Sequence, residues 1–259
     1  MTLLDRYFDA ARAALGEVAA TQAEPLEAAA RRMADSVAAG GVLHLFGAGH
    51  SQSVALDAYW RAGGLACVHP IVDPGLSPAA GPRVAAAERE AGRAAALLDG
   101  EDLRPGEVAL VISNSGVNPL PVEVALCCRE RGVAVVALTS VAQAAATAPR
   151  HPAGRLHELA DLVIDNRCPP GDAALPLDGG PAVGPLSSVV GTAVVAALAA
   201  RVAELLAERG LTPPVLVSQN LDATGANPND GLLDAYLARR GPGNPKGVPR
   251  RIGRTRSRP

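Results

Sequence analysis

Aromatic side chains are scarce, at 2% of the 259 residues. A core with so few rings has to come from small aliphatic side chains packed between closely spaced layers, which favours an α/β fold over a sandwich or barrel of β-strands. Long apolar runs are missing as well: no uninterrupted stretch reaches the ~20 residues of a membrane span, so no membrane partner is expected. The opening MTLLDRYFDAARAALGEV places Asp5, Asp9 and Glu17 among its apolar residues. That argues against a signal peptide or a basic transit peptide, and the expected location is the cytoplasm. Cysteine is limited to Cys67, Cys127, Cys128 and Cys168, without C-x-x-C spacing. Neither a disulfide framework nor a thiolate metal centre is supported, no metal is expected, and the cysteines read as small buried hydrophobes. G-x-G-x-x-G and G-K-[ST] are both absent, so dinucleotide and P-loop readings fail and no cofactor is expected.

Excess positive charge is missing from the body of the chain. The segment from Gly241 to Pro259 holds Lys246, Arg250, Arg251, Arg254, Arg256 and Arg258 and no acid; with the chain at −2, these leave the first 240 residues at −8. Such a body has no field to gather nucleic acid, and no nucleic-acid partner is expected. The Pro- and Gly-rich basic tail, 241–259, reads as a disordered appendage.

What is present is aliphatic: 48% hydrophobic against 19% charged over 259 residues, enough for one sizeable core with an added helical arm. Residues 1–40 show two helical patterns separated near Pro25. A helical pair without its own core packs on the domain or on a second copy, which points to self-association as a homodimer or higher oligomer. From Gly41 the pattern alternates. Strands are expected at 42–46, 65–69, 107–113, 133–139, 159–165 and 214–218; helices at 51–62, 84–99, 119–131, 186–209 and 230–239, with a short one ending near 147; and a long loop at 166–185. Strands that are apolar on both faces belong to a parallel sheet sandwiched by helices. The expected fold is α/β, a three-layer αβα domain over 41–240 with a central parallel sheet and an N-terminal helical arm.

In such a sheet, ligands bind beyond the carboxyl ends of the strands. Gly47-Ala48-Gly49-His50-Ser51 follows the first strand and ends in a hydroxyl at a helix start, where unpaired amides suit an anion. Ser113, Asn114, Ser115 and Asn118 add neutral donors at another strand end, and Pro119 is well placed in the first turn of its helix. Helix N-termini and hydroxyls without lysine describe a site for a phosphate monoester. Among titratable groups, His50 lies inside the first turn and titrates near neutral pH, and Asp57 lies about one and a half turns along the same helix. His151 and Asp172 are loop candidates; His44 and His157 read as packing residues.

FGAGHS, ISNSGVNPLPVEVAL with ALTS, ADLVIDN, and PPGDAAL with VGPLSSVVGTA together resemble the sugar isomerase (SIS) domain family over about residues 3–235. The resemblance implies a flavodoxin-like fold and dimers with sites near the subunit boundary. It also implies phosphate binding by Ser51, Ser113, Asn114, Ser115 and Asn118, with Ser187 and Ser188 opening a later helix against the ligand. The group within the family that looks most similar is a putative phosphosugar isomerase group related to N-acetylglucosamine-6-phosphate dehydratase and N-acetylmuramic acid 6-phosphate etherase. An amino-sugar 6-phosphate is the implied substrate, handled by isomerisation or C2/C3 elimination; the alternative is a phosphosugar sensor. The carboxylate that related enzymes carry further along the first helix is replaced here by Tyr59, Trp60 and Arg61. The last loop keeps Asn220 and Asp222 but has Ala223-Thr224 where relatives carry a double glycine.

Overall fold

The computed structural model describes residues 1–220 and 229–240; Asp222, Ala223, Thr224 and the basic tail lie outside them. Two helices come first, α1 (Leu3–Thr21) and α2 (Ala23–Ala38). Then follow β1 (Leu43–Gly47), α3 (His50–Asp57), β2 (Val68–Ile71), α4 (Arg83–Arg89), α5 (Arg93–Leu97), β3 (Val108–Ile112), α6 (Pro119–Glu130), β4 (Ala134–Thr139), α7 (Val141–Ala145), α8 (Leu156–Leu159) and β5 (Leu162–Asp165). The hairpin strands β6 (Ala173–Leu175) and β7 (Val183–Pro185) precede α9 (Ser187–Glu208) and α10 (Asp230–Arg240).

The five-stranded sheet runs β2-β1-β3-β4-β5, and all four pairings are parallel. Valine, leucine, isoleucine and alanine suit it because a strand covered on both faces has no polar side to offer water. Leu43, Leu45, Leu110, Ile112, Val136 and Leu138 point to one face, where they meet Ala29, Ala30 and Ala34 of α2 and Val190, Val194 and Leu198 of α9. Phe46, Ala109, Val111, Val135 and Ala137 point to the other and meet Leu120, Val124 and Cys128 of α6 and Leu156 of α8. The small side chains of α2 let it sit close on the sheet. It is a layer of the core, and α1 packs outside it.

The order also decides where a ligand can go. From β1 the chain steps outward to β2 and then returns across to β3, so the segments leaving β1 and β3 diverge. That switch point is where an open α/β sheet leaves a crevice.

Several expected elements differ. The helix expected at 51–62 stops at Asp57 and gives way to a turn in which Trp60 has φ +50°. The helix expected at 84–99 is broken into α4 and α5, because the chain leaves α4 at Glu90 in an extended conformation. At 214–218 there is no ladder, only a single bridge between Val215 and Leu65: Pro213 and Pro214 have no N–H to donate, and the backbone N–H and C=O of Val217 are both taken by the Asn229 side chain. The loop at 166–185 folds into the β6–β7 hairpin. Among the described residues, α9 is long and apolar enough to cross a membrane, yet its Val190, Val194, Leu198, Val202, Leu205 and Leu206 are buried in the domain's own core.

Candidate functional site

Three turns at the carboxyl edge of the sheet build the site. In the first, α3 folds back so tightly on β1 that a Cβ on Gly47 would lie 2.4 Å from the carbonyl carbon of Ser51. Only glycine fits, and the close approach brings Ser51 into the first turn of α3, where its amide donates to the Ala48 carbonyl at 3.2 Å. In the second, Gly116 adopts φ +60° and donates its N–H to Ser113 Oγ at 3.2 Å. This bends the chain so that Asn118 and Pro119 start α6. The third is the start of α9, held by Asp172. Its Oδ1 accepts from the amides of Leu186 (3.1 Å) and Ser187 (2.7 Å), and its Oδ2 accepts from the Ser187 hydroxyl at 2.7 Å. Asp172 is thus the cap of α9.

Ser51, Asn114, Asn166, Ser187 and Ser188 line a narrow crevice between these turns, over a floor of Val54, Ile112, Leu138 and Gly191, with a cavity volume of about 10 Å³. The polar side chains that line it, and those of the adjoining turn into α6, fall into two groups. Asn114 is fully engaged: its amide donates to Gln143 at 3.0 Å and its carbonyl accepts from Asn166 Nδ2 at 2.8 Å. Asn118 is engaged too, donating to Glu88 at 2.8 Å and accepting from Arg150 Nη1 at 2.7 Å. Ser113 and Ser187 are held in the turn and the cap. The hydroxyls of Ser51, Ser115 and Ser188, by contrast, have no hydrogen-bond partner among the described residues. The first two stand at the starts of α3 and of the turn into α6, and the third opens α9.

The structure does not bring Asp57 to this crevice. Asp57 ends α3, pairs with Arg61 and lines a separate apolar groove of about 670 Å³ between α3 and α9. Ser188 lies on the boundary of both. His50 is exposed on the first position of α3, outside the crevice lining. His151 accepts from the Ala153 amide in its loop at 3.2 Å, and His44 is buried against Glu107 at 2.9 Å. Burial pushes the thiols of Cys67, Cys128 and Cys168 up to about 12, so these cysteines are inert packing groups. Among the described residues, no cluster of His, Cys, Asp or Glu is placed to hold a metal ion.

Three residues escaped the sequence reading. Asn166, 3% exposed, ties Asn114 to the end of β5; it directly follows the expected strand, but nothing in its spacing sets it apart. Glu88 and Arg150 reach Asn118 from segments 30 and 32 residues away in the chain. Burial raises the Glu88 carboxyl above the usual range, against the opposing effects of the Asn118 hydrogen bond and of Arg89 and Arg150.

A model of the SIS domain family matches residues 6–140. The UPF0309 protein of Streptomyces avermitilis is 43% identical over 241 residues, covering 90% of this chain and 95% of its own. A UPF0309 protein of Listeria monocytogenes serotype 4b is 35% identical over 240 residues, covering 92% and 97%. Among solved structures, the fold is similar to phosphoheptose isomerase from Neisseria gonorrhoeae, with TM-score 0.53 at 18% identity over 78% of this chain and 100% of that one. It is also similar to the NanR protein of Vibrio vulnificus complexed with ManNAc-6P, with TM-score 0.51 at 16% identity over 81% and 65%.

Proposed function

Because this chain belongs to the SIS domain family, alongside the UPF0309 proteins, we propose that it is a phosphosugar enzyme. In this reading it binds an amino-sugar 6-phosphate and removes the proton on C2, leading to isomerisation or to C2/C3 elimination. The observation that carries the reading is a set of hydroxyls without a partner among the described residues: Ser51 and Ser188 line the crevice from the first turns of α3 and α9, and Ser115 lies in the turn that leads into α6. A phosphate monoester is a compact dianion with acceptors on every side, and it matches donors that the protein itself leaves unused, strengthened by the positive ends of the helices. Asn114, Asn118, Ser113 and Ser187 then form the frame that holds those donors in place. At about 10 Å³ the crevice is far below the roughly 300–1,000 Å³ that encloses a whole small ligand, so in this reading the phosphate sits at its rim and the sugar lies outside.

There the chemistry depends on the open-chain aldehyde, whose carbonyl acidifies the C2–H bond and acts as the electron sink. A positioned base is sufficient, and the reading requires no metal or organic cofactor. His50 remains within it as the titratable side chain next to Ser51. Phosphorylated sugars do not cross membranes unaided, in keeping with a cytoplasmic enzyme. The ManNAc-6P bound by the Vibrio vulnificus protein of the same fold belongs to the same ligand class.

The test is isothermal titration with N-acetylglucosamine 6-phosphate and with the unphosphorylated sugar, followed by ultraviolet absorbance and sugar analysis of the mixture. Binding of the phosphate ester alone, with a conjugated or isomerised product, is expected. Heat without product would assign the protein to phosphosugar sensing, and no heat with any phosphosugar would remove the reading altogether.

A further inference from the structure

Proton abstraction needs a base, and neither the crevice lining nor α3 offers a carboxylate aimed at the sugar. One comes from α4. On this helix Val84 packs over the first turn, its Cγ1 3.5 Å from where a Cβ on Gly49 would sit. Residues four apart lie on the same side of a helix, one turn along, so Glu88 continues from Val84 towards the second turn. There its Oε2 accepts from Asn118 Nδ2 at 2.8 Å. Helix α4 therefore bridges both ligand turns and sets a carboxyl group between them.

The bonding around that carboxyl suits proton transfer better than support. Glu88 is half-buried, yet it takes one hydrogen bond and no ion pair among the described residues. A buried carboxylate kept for stability needs fuller satisfaction. Arg150, whose charge also acts on Glu88, binds the opposite end of the Asn118 amide, which orients that amide to donate to Oε2 and leaves Oε1 without a partner among the described residues.

We propose that Glu88 is the catalytic base that takes the C2 proton of the bound amino-sugar phosphate, an inference that rests on the phosphosugar reading above. As the C2–H bond breaks, its proton passes to Glu88 and the electron pair moves through the C1 carbonyl to form an enolate. In elimination the enolate expels the C3 hydroxyl, which departs as water with the proton from Glu88. In isomerisation Glu88 returns the proton to the opposite face of C2 after the enolate rotates about the C2–C3 bond, which gives the C2 epimer. Either route restores the carboxylate. Burial, which raises the carboxyl pKa against the influence of Arg89, Arg150 and Asn118, makes it a stronger base than an exposed glutamate.

The experiment compares the wild-type chain with Glu88→Gln, which keeps the acceptor for Asn118, and with Glu88→Asp. N-acetylglucosamine 6-phosphate is the probe, and titration calorimetry, turnover and exchange of the C2 hydrogen in D₂O are the readouts. The expected result for Glu88→Gln is a dissociation constant within about threefold of wild type, turnover lower by roughly 10²–10⁴, and loss of C2 exchange. Glu88→Asp should retain part of the exchange, and the acidic limb of the wild-type kcat/KM profile should be missing from Glu88→Gln. Full turnover or C2 exchange in a folded Glu88→Gln protein would overturn the assignment while leaving the binding site intact. Should Glu88→Gln fail to fold, Glu88→Asp with unaltered exchange would overturn it equally. A wild-type chain that binds no phosphosugar fails the underlying reading instead, and Glu88 with it.

Discussion

At the scale of single residues, the difference between a motif and a site is which polar atoms remain unused. Ser113, Asn114, Ser115 and Asn118 fall within one short stretch of the sequence, but in the folded chain the Asn114 and Asn118 amides bond to Gln143, Asn166, Glu88 and Arg150. Among the described residues, the Ser115 hydroxyl beside them has no partner. Ser115→Ala is therefore expected to weaken phosphosugar binding by about 1–3 kcal/mol, the range for a lost hydrogen bond to a charged group, with little change in melting temperature. Calorimetric dissociation constants would check it, and an unaltered value would remove Ser115 from the phosphate site. The run itself was legible from residue types and spacing. The role of Glu88 was not, because a glutamate in AEREAG looks like any solvated helix charge until α4 is seen lying across both turns.

Among elements, the pairing of α2 with α9 combines small-residue packing with an ion cluster. Arg201 on α9 reaches Glu27 on α2 at 2.8 Å, and also Glu204 and Glu208. The Arg201 guanidinium holds the Glu27 carboxyl down at about 2, from an ordinary 4.5. A lowered folded-state pKa means that the pair stabilises the chain above pH 4.5 and that this contribution is lost as the pH falls from there through about 2. Thermal melts between pH 7 and pH 2, values chosen to bracket this window, should show Glu27→Gln to be less stable than wild type at neutral pH, with the gap closing in acid. A constant gap across that range would assign the effect to packing instead. The parallel strands and the long helices were readable from hydrophobic pattern. The break between α4 and α5 and the lost strand at 214–218 were not, because each turns on which backbone groups find partners elsewhere.

For the molecule as a whole, the unresolved balance lies at the apolar groove between α3 and α9. Leu56 and Val189 remain 42% and 39% exposed, and α1 carries Leu4 and Phe8, 67% and 57% exposed, four residues apart on one helix face. A single chain thus presents both an apolar ridge and an apolar groove of about 670 Å³, the kind of surface at which proteins associate. Pairing with a second copy would cover both by one symmetric contact. Light scattering after gel filtration is expected to give a dimer or higher species, and Val189→Glu, which puts a charge at the groove, is expected to shift it towards monomer without unfolding it. A wild-type monomer at micromolar concentration would contradict this.

The amino-acid sequence by itself determined the α/β class, the buried parallel sheet and the two polar turns after β1 and β3, since these follow from local pattern: apolar runs, helix spacing, and Gly, Ser and Asn at strand ends. Tertiary structure alone decided that α2 belongs to the core, that Asp57 turns towards Arg61, and that Glu88 and Arg150 meet at Asn118. The physical reason is that a hydrogen bond or ion pair is settled by proximity in space, and residues 30 positions apart become neighbours only after the strand order has been chosen and helices have closed over it.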